Sequence, residues 1–179
     1  MLIVGIDPGF LGAISVLTDQ GALLSVVDMP VILVKKGKSK KHRYDEPAIR
    51  KILADVPAPV HVILEYQQAF PKQGGVSNFT TGGNYGFLRG VLAGLAIPYE
   101  TVTPRAWKKA MLAGLGPDKC HSLAKAKALW PTADFGNRAD AGRAEASLIG
   151  EYGRRVRAGL AATSDHALAS GTVLPAPPV

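Results

Sequence analysis

Four acidic residues of this 179-residue chain stand where a carboxylate is costly to keep. Asp7 closes the apolar run LIVGID, and Glu65 sits at the end of a second run, VHVILEY (60–66). Glu145, Leu148, Ile149 and Tyr152 are spaced i, i+3, i+4, i+7, which puts Glu145 on the apolar face of a helix. Arg143, Ser147, Glu151 and Arg154 fall on its opposite side. A carboxylate on a buried face costs several kcal/mol unless it is paired or bound to a cation. Gly142, one turn earlier, leaves room for a ligand or another backbone. Asp140 lies five residues before Glu145, and at about 100° per residue a continuous helix would set the two about 140° apart. They converge only if Asp140 sits at or before the N-cap. Each residue also has an ordinary reading: Asp7 and Glu65 as salt-bridged strand ends or helix caps, Asp140 as a capping residue.

Three or four carboxylates gathered without histidine or cysteine suit a hard, oxygen-seeking cation, Mg²⁺ or Mn²⁺. Pairs of such ions about 4 Å apart serve phosphodiester hydrolysis, one activating water and the other holding the leaving oxygen. The charge balance agrees with that chemistry. The chain carries a net +7, concentrated in Lys35, Lys36, Lys38, Lys40, Lys41 and Arg43, then in Arg105, Lys108, Lys109, Lys119, Lys125 and Lys127, then in Arg154, Arg155 and Arg157. Any one cluster has solvated surface as its plain reading; three in a single small domain point to a polyanion. The lone cysteine, Cys120, permits no intramolecular disulfide, fits a reducing compartment and reads as core filler. The opening MLIVGIDPG lacks the basic start of a secretory signal, and no apolar run reaches the ~18 residues of a membrane span.

The elements that must position these carboxylates follow from the pattern. LIVGID, GAISVLT (12–18) and ALLSVVDM (22–29), separated by glycine-containing turns, predict a meander of three antiparallel strands. The basic stretch 35–43 reads as a loop. Asp45 caps a helix over 46–54 with Pro47 in its first turn. VHVILEY is a fourth strand, and if it lies beside the first, Asp7 and Glu65 meet at one sheet edge. A Gly/Gln/Ser-rich connection (67–78) leads to a helix over 80–96, a short strand at 98–104, and helices at 105–112, 118–129 and 140–157. From Ala158 onward the Ala/Ser/Pro/Gly-rich chain reads as a disordered tail. The order predicts an α/β domain with a mixed five-stranded sheet flanked by helices.

Four blocks in sequence order, GIDPGFLGAISVL, VILEYQ, YGFLRGVLAGLAIPYETVTPRAWKK and DAGRAEASLIGEYGRR, resemble the phage-type branch of the RuvC-like Holliday junction resolvases. The resemblance covers about residues 2–155. It implies an RNase H-like nuclease domain over 1–157, a homodimer, and Mg²⁺- or Mn²⁺-dependent cleavage of four-way DNA junctions with two ions per active site. Such an enzyme would serve recombination and repair in the bacterial host cytoplasm or nucleoid. By resemblance Asp7, Glu65, Asp140 and Glu145 are both the catalytic carboxylates and the metal ligands. One departure stands out: many relatives place their last two ligands three residues apart, and position 142 here is glycine. Phe70 corresponds to an aromatic that wedges the crossover, for which the plain reading is a loop anchor. Lys72, Lys108 and Lys119 are candidate DNA contacts or surface lysines, and Trp107 reads as core. Gly86, Gly90 and Gly94 form a stripe that either packs on the chain's own sheet or meets a second copy. Two other readings compete: a nucleotide-phosphate-binding protein of the hexokinase/actin-like superfamily, and a junction-binding protein without catalysis.

Overall fold

The computed structural model describes residues 1–37, 39–116, 118–136 and 141–159. Strands β1 (Leu2–Asp7), β2 (Ala13–Thr18) and β3 (Leu23–Asp28) form the expected antiparallel meander. Strands β4 (Val31–Lys36) and β5 (Ser39–Tyr44) follow, then helix α1 (Glu46–Ala54), β6 (Val60–Glu65) and α2 (Gly75–Gly94). The chain continues through β7 (Tyr99–Val102), α3 (Pro104–Met111), α4 (Lys119–Leu129) and α5 (Gly142–Arg157). The main sheet has the order β3-β2-β1-β6-β7, with β6 parallel to both β1 and β7. It is the predicted mixed five-stranded sheet.

Side chains alternate along β1, so the sheet feeds two cores. Ile3 joins Trp107, Met111, Ala126, Leu148 and Ile149 on the face covered by α3, α4 and α5. Val4 and Ile6 join Ile49, Leu53, Tyr85, Leu88 and Leu92 on the face covered by α1 and α2. Helix α5 lies unusually close to the strands because glycine meets backbone there. A Cβ on Gly5 would fall 2.1 Å from the Ala146 carbonyl oxygen, and one on Gly142 would fall 2.0 Å from that of Leu11. Ser15 Oγ closes the contact by donating to Ala146 O at 2.9 Å.

The basic stretch 35–43 is not a loop. It forms most of a hairpin, β4 paired antiparallel with β5 from Val31↔Tyr44 to Lys36↔Ser39, separate from the main sheet. Val31, Ile32, Leu33 and Val34 supply β-branched and apolar strand residues, and Gly37, at φ +61°, turns the ribbon. Lys35, Lys40, Lys41 and Arg43 are all exposed, Lys40 and Lys41 on opposite faces of the ribbon, so the usual in/out alternation that betrays a strand is missing. Its base is anchored where Phe10 meets His42 and Tyr44 edge-to-face.

Two further expectations shift. Helix α2 begins at Gly75, inside the stretch read as a connection, and its glycine stripe does not pack on the sheet: a Cβ at Gly86, Gly90 or Gly94 would meet nothing within 4 Å. Helix α5 is also covered on much of the side opposite Glu145. Ser147 and Glu151, placed by helical spacing on the side away from Glu145, are 0% and 4% exposed, because α5 touches β1, β2, β3, β6, α3 and α4. Asp140, Lys38 and, of the tail expected over 158–179, everything past Gly159 lie outside the described residues. Among the described residues no helix is long and apolar enough to cross a membrane.

Candidate active site

The parallel pairing of β1 with β6, in the register Ile6↔Leu64, brings the ends of the two strands together and with them Asp7 and Glu65. Asp7 Oδ1 accepts from the Gly9 backbone N–H at 3.2 Å, folding the Pro8-Gly9 turn back over the carboxylate. The Tyr44 hydroxyl donates to the Pro8 carbonyl from the base of the hairpin and fixes the same turn. Glu65 Oε1 accepts from Trp107 Nε1 at 2.8 Å and Oε2 from Gln67 Nε2 at 3.1 Å. Trp107 is fully buried, as expected, and its indole N–H orients a candidate ligand.

Glu145 enters from α5 at 9% exposure, on the buried face the sequence assigned to it. Its Oε1 lies 2.9 Å from Lys108 Nζ and accepts from Ser122 Oγ at 3.2 Å. Lys108 therefore faces the carboxylates, and it does so because α3 starts sharply: Thr103 Oγ1 accepts from the Ala106 N–H and Pro104 takes a first-turn position. That start directs Trp107 and Lys108 to adjacent carboxylates. Asp7, Glu65 and Glu145 are close enough to perturb one another. Burial, opposed by the Gly9 hydrogen bond and reinforced by Glu145, raises Asp7 to about 6. Burial and then the Asp7 charge raise Glu65 to about 7, against the Trp107 hydrogen bond. Burial followed by Asp7 raises the Tyr44 hydroxyl as well. Lys108 and Lys119 work in the other direction on Asp7.

Such a cluster is short of positive charge and offers only oxygen donors, which fits a hard divalent cation. The three carboxylates are not drawn into one ligand sphere: among the described residues their oxygens do not all come within 4.8 Å of one another. Glu145 is instead held by Lys108 and Ser122. Beside Lys108 opens a cavity of about 700 Å³, lined in part by Arg105, Lys109, Leu112 and Leu115, so cations continue outward from the acidic centre.

Of the other expected contacts, Phe70 is 53% exposed on the loop after Glu65. Its backbone is clamped by Asn78, whose side chain accepts from Phe70 N–H and donates to Phe70 O, so the ring is presented from a fixed chain. Lys72 is exposed on the same loop, and Lys119 is exposed at the start of α4. Sequence reasoning missed Tyr44, Gln67, Ser122 and the Trp107 hydrogen bond. For Trp107 and Lys108 the signal was present in Thr103-Pro104, a helix start that fixes which way the next residues face. Ser122 and Tyr44 carry no local signal, since only tertiary packing brings them to the site.

No protein-family model matches the chain, and no curated protein matches it significantly. Solved structures do. Thermus thermophilus RuvC in complex with Holliday junction substrate superposes with a TM-score of 0.59 at 16% identity, covering 90% of this chain and 98% of that one. A further structure of Thermus thermophilus RuvC gives a TM-score of 0.54 at 17% identity with the same coverage. The chain thus has the RNase H-like fold of RuvC, and Asp7, Glu65 and Glu145 stand at the ends of its two central parallel strands and on the helix packed against them.

Proposed function

We propose that this chain is a metal-dependent endonuclease that hydrolyses phosphodiester bonds in branched DNA, with the Holliday junction as its principal substrate. The observation that carries the reading is the meeting of Asp7, Glu65 and Glu145 under the opposing charges of Lys108 and Lys119. Asp7, Glu65 and Glu145, with Asp140 as a fourth, would hold two Mg²⁺ or Mn²⁺ ions. When bound, such ions lower the pKa of the attacking water and stabilise charge on the leaving oxygen. The chain's own part is to aim the carboxylates: Trp107 and Gln67 orient Glu65, Gly9 and Tyr44 fix the Asp7 turn, and Lys108 balances the charge of Glu145. Arg105, Lys109, Lys72, Lys119 and the hairpin cations Lys35, Lys40, Lys41 and Arg43 are suited to phosphates. Phe70 is suited to stacking on an unpaired base at the crossover.

A symmetric cut on two strands calls for two copies of the chain. The open glycine face of α2, together with Val76 at 73% and Phe79 at 85% exposure, is the surface we assign to that homodimer. The sequence blocks favour the phage-type branch, acting on DNA in the host cytoplasm. Cleavage of a synthetic four-way junction with Mg²⁺, run beside three-way, flap and linear DNA, tests the reading. Junction cleavage that vanishes in Asp7→Asn is expected; binding without cleavage by the wild-type chain would overturn it.

A further inference from the structure

The first turn of α4 carries a ligand set of a different kind. Asp118, Cys120 and His121 offer a carboxylate oxygen, a sulfur and an imidazole nitrogen, and these atoms all lie within 4.8 Å of one another. Asp118 occupies the N-cap, where aspartate ordinarily accepts from a first-turn N–H. Its side chain makes no such bond, so starting the helix does not account for where it points. His121 Nδ1 lies 2.8 Å from the Gly116 carbonyl oxygen. The contact suits the Nδ1–H tautomer, which leaves Nε2 with its lone pair, the arrangement in which imidazoles commonly ligate a metal. A Cβ at Gly116 would crowd the ring, falling 3.3 Å from His121 Cε1, so the glycine leaves the imidazole its room. Cys120 is half-buried, shielded yet reachable.

We propose that Asp118, Cys120 and His121 bind one borderline-soft transition ion, Zn²⁺ above all, at a site separate from the carboxylate centre. Thiolate and imidazole select Zn²⁺ strongly over Mg²⁺, whereas an all-oxygen set is suited to Mg²⁺ and Mn²⁺ and discriminates far less against them, so the two sites differ in ligand softness. Three protein ligands leave a fourth position for water, and the Cys120 proton is released to solvent on binding. Lys119 lies between the ligands, and its charge reaches Asp7. An ion at this site therefore ties down the turn that carries Lys119 toward the carboxylates. The inference stands whether or not the chain cuts DNA.

The test is a titration of the chelator-stripped full chain with Co²⁺. One equivalent should produce the near-ultraviolet thiolate-to-cobalt absorption, displaced by Zn²⁺ and not by Mg²⁺, and equally strong in Asp7→Asn and Glu145→Gln. Cys120→Ser should abolish that absorption, and Asp118→Asn and His121→Gln should weaken Co²⁺ binding at least about tenfold. As a second readout, in the Asp7→Asn background, where the carboxylate centre is weakened, Zn²⁺ should raise the thermal midpoint, and adding Cys120→Ser to that background should remove most of the gain. Cobalt uptake without sulfur absorption, absorption unchanged in both Asp118→Asn and His121→Gln, or absorption lost in Asp7→Asn would each overturn the proposal.

Discussion

Glu145 and Glu151 sit six residues apart on α5, both nearly buried, in opposite electrostatic settings. Glu151 is saturated: Arg154 Nε and Nη2 reach its two oxygens at 2.6 and 2.9 Å, and Arg155 Nε adds a third contact at 2.7 Å. Those hydrogen bonds and charges outweigh its burial and hold its carboxyl below the ordinary range. Glu145 has one lysine and one hydroxyl, and it shares its surroundings with Asp7 and Glu65, both raised by burial and by neighbouring acids. A chain that can satisfy a buried glutamate fully at one end of a helix leaves a carboxylate group under-compensated at the other. The difference separates an acid kept for the fold from acids kept for something that must still arrive.

Substitutions at the two glutamates should therefore have opposite signatures, and the largest effect is expected at the under-compensated end. Asp7→Asn and Glu145→Gln should lower junction cleavage on the order of a thousandfold, about 4 kcal/mol in barrier. Glu151→Gln should leave the turnover of the folded protein within about twofold. Loss of cleavage in a fully folded Glu151→Gln would break the distinction. Stability should show the reverse order. Glu151→Gln leaves two partly exposed arginines without their shared anion, for a loss of about 2 kcal/mol in chemical denaturation.

The pH dependence sharpens the same contrast. Asp7 at about 6 and Glu65 at about 7 are raised above their ordinary values near 4. Their protonated forms favour the fold, so the ion-free protein should lose stability as pH climbs from about 4 through 7, with the full penalty present above that. A divalent cation binds the ionised forms. Its gain in thermal midpoint should thus be small at pH 5 and largest at pH 8, while Asp7→Asn without added ion should be more stable than wild type at pH 8. Differential scanning calorimetry at the two pH values, with and without Mg²⁺, measures both; an Mg²⁺ gain independent of pH would contradict the reading. The smallest change concerns the Glu65 neighbour. Trp107→Phe keeps an aromatic ring in the core, at the cost of a small cavity, but removes the indole donor, so the cleavage rate of the folded protein should fall about tenfold. The acid limb of the pH–rate profile should move upward, because that hydrogen bond lowers Glu65.

Asp7 and Glu65 were legible in the sequence because a carboxylate that ends an apolar run is a local signal, and strand pairing needed only the α/β order to put them side by side. Glu145 was legible from helical spacing. The burial of Glu151 was not legible from the same spacing. A helical wheel gives the side a residue faces and not how many sides are covered, and α5 is wrapped by strands on one flank and by α3 and α4 on another. The hairpin was hidden because consecutive residues such as Lys40 and Lys41 are both exposed, one on each face of the ribbon. The start of α2 was hidden because Gly74 and Gly75 look like a loop until Tyr85, Leu88 and Leu92 are seen to anchor the helix on the sheet. Ser122 and Tyr44 reach the site through contacts distant in sequence, which no periodicity records.

The contact at Gly142 also limits what selection can try. A site that needs a ligand one turn before Glu145 would ordinarily find it by substituting position 142, yet any side chain there collides with the Leu11 carbonyl. That route is closed unless the β1–β2 turn moves as well, a change that would disturb Asp7 at the same time. Variation in the acidic set is thereby steered to the segment ahead of the helix, where Asp140 lies. A saturation library at position 142 should accept almost nothing but glycine, which would make a single backbone contact the gatekeeper of the acidic set.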